Sequence, residues 1–309
     1  MIASCNRLAA YVLGGLFLLA GPGAAQEPGS QVEEKTISIL FKHKKGKIGT
    51  TEIDIQRGVP LFNALIAGRE VCALLDTGAE ASIVDTGLAR EAGLKVSVND
   101  KDILTGIRGA ASSYLISAVP IEIPAQFAFE RDMIGADLPD YDCPDGKALG
   151  FVLGMDFLGE MAVLLDAKRN LMVLLPSGSV MQTGEKWVSI DWRGGFVPGS
   201  IEGKPTLLQI DTGSSSELRV RDTHFDDFFP DKEPEPLGSS TTLIGKRERV
   251  GLSDIRFSFG PLSLRGRVIL TPSSGVSSLA TLGYPALSHT SVILDAKKEV
   301  IFLLKPSSE

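Results

Sequence analysis

The sequence predicts a mainly β, bilobal protein made of two similar lobes, and three observations carry that reading. Glycine is plentiful (33 residues), aromatic content is only 6%, and Val/Ile/Thr-rich runs alternate with Gly, Pro and Ser, which favours many short strands over long helices. The chain is long enough, at 309 residues with 43% hydrophobic content, to fill two cores. It also repeats itself. "AGREVCALLDTG" lies over "EGKPTLLQIDTG" at an offset of 135, so that Gly68 falls on Gly203 and Asp76 on Asp211. "FVLGMDFLGEMAVLLDAKRNLMVLL" (151–175) lies over "ATLGYPALSHTSVILDAKKEVIFLL" (280–304) at an offset of 129, with six of twelve positions identical between Leu164–Leu175 and Ile293–Leu304. A duplication with one net deletion of six residues between its anchors accounts for both offsets.

The elements follow in chain order. Residues 1–25 have one basic residue, Arg7, an apolar core from Leu8 to Ala20 and a small-residue site at Gly23-Ala24-Ala25, the pattern of a secretory signal peptide; an uncleaved anchor is the minor reading, because thirteen apolar residues are short for a span. The expected location is therefore periplasmic or secreted, with no integral span after cleavage. Residues 26–49 form an N-terminal extension, disordered over 26–34, and "ISILFKHKKGKIGTTEIDI" reads as an added hairpin with a solvated lysine turn. Lobe one is placed at 50–176, a linker, "SGSVMQTGE", at 177–185 and lobe two at 186–305.

Within each lobe a strand pair turns at a glycine (Gly68, Gly203), and an apolar strand ends at the Asp. A polar middle follows, then an apolar pair before a glycine (Gly154, Gly283), and a hairpin closes on Asp-Ala-Lys. Thr86 to Gly93 is the best short helix. The net charge of −7, nearer −8 once the leader with its Arg and no acid is removed, argues against a nucleic-acid partner. Cys5 leaves with the leader. Cys72 and Cys143 remain, either as a disulfide or as two thiols.

The chemistry sits in "CALLDTGAEASIVD" and "TLLQIDTGSSSEL". Each ends an apolar run on a carboxylate, Asp76 or Asp211, and breaks at once into Thr-Gly. A duplication that sets the same strand tip on both sides of a pseudo-two-fold brings the two carboxyls together. Two carboxyls in contact hold one proton over a wide pH range and offer a general base beside a general acid. That pair can drive water onto an amide without metal or nucleophile. Gly78 and Gly213 permit a backbone tight enough for main-chain N–H groups to reach the carboxylates, and the Thr77 and Thr212 hydroxyls can brace the two loops.

On these residues the chain resembles the retropepsin-like and pepsin-like aspartic peptidases, in a bacterial secreted, two-lobed form. The motifs are Asp76-Thr77-Gly78-Ala79 and Asp211-Thr212-Gly213-Ser214, with the glycine elements ending at Gly154 and Gly283, and together they span nearly all of 50–305. The resemblance implies the bilobal acid-protease fold and hydrolysis of a polypeptide substrate by Asp76 and Asp211. It also implies no cofactor, a monomer with pseudo-two-fold lobes, and β-hairpin flaps over the cleft. Flap candidates are Gly106, Ile107 and Gly109 in lobe one and Gly245 in lobe two. It further implies that the Ser214 hydroxyl donates to its neighbouring carboxylate, which Ala79 cannot do, making Asp211 the base and Asp76 the holder of the shared proton. No tyrosine stands at a flap tip, Tyr114 being read as a strand residue, and Met155-Asp156 faces Tyr284-Pro285 across the repeat.

A second function class, a non-catalytic cleft that binds peptides, keeps the same lobes. A metal site is a poor reading, because His43, His224 and His289 have no ligand spacing. Asp166 and Asp295 read as caps of the Asp-Ala-Lys turns, and Asp85, Asp156 and Glu80 as solvated neighbours of the motif. Phe225, Phe228 and Phe229 read as a locally packed loop.

Overall fold

The computed structural model describes residues 17–18, 40–41, 49–106, 109–139, 141, 143–180, 186–242, 245–272 and 278–305. The expected leader over 1–25 apart from Phe17–Leu18, most of the 26–49 extension, Ile107 and linker residues 181–185 lie outside the described residues. The described residues are mainly β, and the four α-helices among them are only four to six residues long.

Lobe one holds β1 (Phe17–Leu18), β2 (Leu40–Phe41), β4 (Leu61–Ile66), β5 (Arg69–Leu75), β6 (Ile83–Asp85), β7 (Val96–Gly106), β8 (Gly109–Ile123), β9 (Phe127–Ala136) and β10 (Leu149–Leu153) in one sheet. At its centre β5 and β10 run parallel, Leu74 beside Val152, and every residue from Val71 to Leu75 and from Leu149 to Leu153 is buried. Strands covered on both faces carry continuous apolar runs, which is why these two lack alternation. The hairpin β4–β5 turns on Ala67-Gly68, both at positive φ (48° and 77°). In lobe two the hairpin between β14 (Phe196–Ile201) and β15 (Lys204–Asp211) turns on Glu202-Gly203 at 49° and 79°. Two left-handed residues in a two-residue loop match strand twist, and the repeat preserves that geometry where the sequence has changed.

Lobe two completes its sheet with β16 (Leu218–Arg221), β17 (Glu235–Thr242), β18 (Gly245–Phe259), β19 (Leu262–Thr271) and β20 (Ala280–Gly283). A third sheet joins the lobes in the order β13 (Trp187–Asp191), β22 (Val300–Leu304), β21 (Ser291–Asp295), β11 (Met161–Asp166), β12 (Leu171–Pro176), β3 (Thr51–Glu52). β11 and β21 pair antiparallel with Leu164 opposite Ile293, and those two residues are equivalent in the repeat. The pseudo-two-fold therefore passes between them.

The Asp-Ala-Lys turns behave as expected: Asp166 Oδ1 accepts from the Arg169 amide at 3.2 Å and Asp295 Oδ1 from the Lys298 amide at 3.3 Å. α1 (Thr86–Glu91) starts one residue after its N-cap, Asp85, whose Oδ1 accepts from Leu88 at 2.7 Å and whose Oδ2 accepts from Leu138 at 3.0 Å. Asp85 is thus a structural cap and not a solvated acid. The added-hairpin reading of the extension differs from the pairing of its described ends. β2 joins β9 in lobe one, whereas β3 joins β12 in the shared sheet, because Thr51–Glu52 completes an edge the duplication leaves open. Phe228 and Phe229 are buried against α3 (Phe225–Phe228), with the Phe225 and Phe229 rings 5.3 Å apart. Tyr114 lies within β8 opposite Val98 and Gly135, away from the hairpin tip. Cys72 and Cys143 are joined by a disulfide.

Candidate active site

Asp76 follows the last residue of β5 and Asp211 ends β15, so each sits at the tip of a central buried strand. Each tip is held by its parallel neighbour. The Asp76 amide donates to Leu153 O at 3.0 Å, and Asp211 lies opposite Gly283 of β20. Gly154 and Gly283 then let the chain pass under the motif loops. A Cβ on Gly154 would meet the Ala81 carbonyl carbon at 2.6 Å, and one on Gly283 would meet Ser214 O at 2.5 Å. The first amides of α2 (Met155–Leu158) and α4 (Tyr284–Leu287) support those loops, Met155 N donating to Ala79 O at 2.6 Å and Tyr284 N to Ser214 O at 3.0 Å.

Asymmetry begins one residue further on. Asp156 N donates to Glu80 O at 2.8 Å and Asp156 Oδ1 accepts from both the amide and hydroxyl of Ser82, while Arg131 pairs with Oδ2 at 3.2 Å. Pro285, its counterpart, has no N–H to give. Asp156 is therefore a brace of the lobe-one loop, not the solvated neighbour its sequence suggested, and burial pushes its carboxyl above the usual range.

The two loops grip each other across the pseudo-two-fold. Thr77 N donates to Thr212 Oγ1 and Thr212 N to Thr77 Oγ1, both at 3.0 Å. The hydroxyls pass their own protons onward, Thr77 Oγ1 to Ile210 O at 3.1 Å and Thr212 Oγ1 to Leu75 O at 2.9 Å. This is the bracing expected of the threonines. The glycines do more than expected: besides the Gly78 amide, which donates to Asp76 Oδ1 at 2.8 Å, each glycine faces the other lobe's carboxyl. A Cβ on Gly78 would fall 2.6 Å from Asp211 Cγ, and one on Gly213 would collide with Asp76 Cγ. Only hydrogen at both positions lets the carboxyls meet.

Asp76 is fully buried and Asp211 is 2% exposed. The two carboxyls lie against each other's glycine across the axis, and Asp76 Oδ2 and Asp211 Oδ1 are buried with no hydrogen-bond partner among the described residues. Burial raises the Asp76 carboxyl well above the usual range, and the neighbouring Asp211 carboxyl raises it further; the Gly78 amide and Arg219 pull the other way. That direction favours the protonated form of Asp76.

Arg219 is the residue that sequence reading missed. It stands on β16, is only 9% exposed, and its Nη2 forms an ion pair with Asp211 Oδ2. The expected donor, Ser214, is engaged elsewhere, its Oγ accepting from Ser216 N at 3.4 Å. The expectation for Ser214 is corrected accordingly: the charge on Asp211 is matched by a guanidinium and not by a hydroxyl. Arg219 lies opposite Thr281 of β20, and Ile83 lies opposite Val152 of β10, the Thr281 counterpart. An arginine thus fills a position that is isoleucine in lobe one. The signal was present as a charge between the apolar Leu218 and Val220, eight residues after the acid.

Both flap candidates are backbone hairpins. β7 and β8 pair up to Gly106 opposite Gly109, and β17 and β18 up to Thr242 opposite Gly245; their tips, Ile107 included, lie outside the described residues.

Duplicated β-lobes with two Asp-Thr-Gly loops locked on their common axis define a retropepsin-like, aspartic-protease-like architecture. The family model described as "gag-polyprotein putative aspartyl protease" matches residues 62–160, that is, lobe one from β4 to just past α2. That stretch is similar to a retropepsin-like aspartyl protease, and lobe two repeats its elements. No curated protein matches the chain significantly.

Proposed function

We propose that the protein is an aspartic endopeptidase that hydrolyses peptide bonds by general acid–base activation of water between Asp76 and Asp211. The observation that carries the reading is the pair of buried carboxyls brought together on the common axis, Asp76 with its carboxyl raised by burial and Asp211 ion-paired to Arg219. In the first step Asp211 takes a proton from water as the water oxygen attacks the carbonyl carbon, and Asp76 gives its proton to the carbonyl oxygen. The resulting gem-diol collapses as the proton on Asp211 passes to the leaving nitrogen and a hydroxyl proton returns to Asp76. The substrate is a polypeptide in the cleft beneath the two hairpins, and each molecule carries a complete dyad in one chain. The leader pattern of residues 1–25 and the Cys72–Cys143 disulfide support a periplasmic or secreted location. Among the described residues no helix is long and apolar enough to cross a membrane.

A second reading, a catalytically inactive peptide-binding protein of the cell envelope, draws on the Arg219 ion pair, which occupies Asp211 Oδ2, one of the oxygens that would take the water proton. One experiment separates the two. Asp76→Asn and Asp211→Asn should each abolish peptide hydrolysis by several orders of magnitude with the near-UV circular dichroism unchanged. Full activity in either variant rules out the dyad, and no hydrolysis by the unmodified chain at any pH favours the binder.

A further inference from the structure

Beside the Asp211 loop, lobe two has a cavity of about 160 Å³ lined by Ser215, Ser216, Glu217, Arg249 and Arg267 among others. It has room for about five waters, the size of one carboxylate side chain. Its walls are built for an anion. Arg249 donates from Nη2 to Ser215 Oγ at 2.9 Å, while its Nε is buried and meets no acceptor. No ion pair forms at Arg249 or Arg267 among the described residues. Glu217, the acid in the lining, accepts the Arg267 backbone amide at 2.6 Å and packs over Gly266, so it is held by the strand and not by a guanidinium. Burial pushes the Arg249 guanidinium below its ordinary range, the charges of Arg267 and Arg219 push the same way, and Tyr141 of lobe one counters them. Gly58 of lobe one packs against two residues of the lining, its Cβ position lying 3.4 Å from Ser215 and 3.5 Å from Pro285, so the cavity is on the side of the lobe that faces lobe one.

The repeat makes the cavity specific to lobe two. Its Ile269 pairs with Arg219 as Ile134 pairs with Ile83 in lobe one. In lobe one that face is an apolar cluster of Leu74, Ile83, Val152 and the Cys72–Cys143 pair. In lobe two the matching positions are Gln209, Arg219 and Thr281. The same face is hydrocarbon in lobe one and polar and basic in lobe two.

We propose that this cavity is a specificity pocket that receives the side-chain carboxylate of a Glu or Asp close to the scissile bond, held by the Arg249 and Arg267 guanidinium groups. The assignment rests on the peptidase reading above. A negative side chain would satisfy the buried Arg249 donor and relieve the repulsion among three guanidinium groups, which a neutral one of the same shape cannot do.

The test uses the full chain and C-terminally amidated peptide libraries in which Glu and Gln, or Asp and Asn, alternate at each position, with products read by mass spectrometry. Cleavage should vanish in Asp76→Asn and should favour the acidic member by about tenfold to a hundredfold at one fixed position. That ratio should fall towards one in the Arg249→Gln/Arg267→Gln double variant and shrink with added salt. Asp76-dependent cleavage with no acidic preference, or a preference that the double variant keeps, overturns the pocket and leaves the peptidase reading standing. A preference seen only in peptides with a free C terminus overturns the side-chain assignment in favour of a terminal carboxylate. If nothing is cleaved the peptidase reading fails, and fluorescence polarisation with the Asp76→Asn protein decides the pocket. Tenfold tighter binding of the Glu library than of its Gln twin, erased in the double variant, supports it, and equal binding overturns it.

Discussion

At the scale of single residues, the two acids are unlike although their motifs are nearly the same. Asp76 is surrounded by backbone and hydrocarbon, with one amide donor, while Asp211 is ion-paired to Arg219. Removing that guanidinium takes away a charge that lowers the Asp76 carboxyl. Arg219→Ile, which installs the lobe-one residue type, should therefore move to higher pH the limb of the pH–rate profile at which Asp76 loses its proton. Ser214→Ala should leave both limbs in place, because the Ser214 hydroxyl is turned to Ser216. A profile that responds to Ser214→Ala and ignores Arg219→Ile would reverse the assignment.

At the scale of elements, the site depends on two loops carried by different sheets and joined by four hydrogen bonds between Thr77, Thr212 and their partners. Valine has the shape of threonine and neither donates nor accepts. Thr77→Val leaves the Thr212 amide and the Ile210 carbonyl buried and unpaired, and Thr212→Val does the same to the Thr77 amide and the Leu75 carbonyl. Each orphaned group costs about 1–3 kcal/mol, so either substitution should lower unfolding stability by about 2–4 kcal/mol. Serine in place of valine should restore most of the loss. Denaturant titration of the two valine variants, the two serine variants and the wild type measures this, and equal midpoints for Val and wild type would show that the grip does not hold the lobes.

At the scale of the molecule, the shared sheet fuses two lobes that a duplication first made equivalent, and differences were then added to each. The disulfide is one of them: it ties β5, at Cys72, to the segment that carries Tyr141, across 71 residues of chain and with 6.3 Å between the Cα atoms. A cross-link over a loop of that length restricts the unfolded chain by up to about 4 kcal/mol. Reduction, or the paired Cys72→Ser/Cys143→Ser variant, should lower the unfolding free energy by about 2–4 kcal/mol without separating the lobes. Calorimetry with and without reductant reads the difference, and an unchanged Tm would mean that the apolar cluster alone fastens that segment.

The sequence by itself determined the duplication, the all-β class, both acids, the bracing threonines and the Asp-Ala-Lys turns. Each is a local pattern repeated in register, and repetition is visible without coordinates. Only the tertiary structure decided what crosses between distant segments. That Gly78 packs on Asp211 and Gly213 on Asp76 depends on how the two lobes dock. That Asp85 caps α1 and Asp156 braces Ser82 depends on which nearby amides turn inward. Arg219 is the clearest case. A charge on a four-residue strand reads as solvated, and it becomes a partner of Asp211 only because β16 lies against β20 with its odd-numbered Arg219 facing the dyad, where burial makes an unpaired guanidinium too costly to leave without a carboxylate.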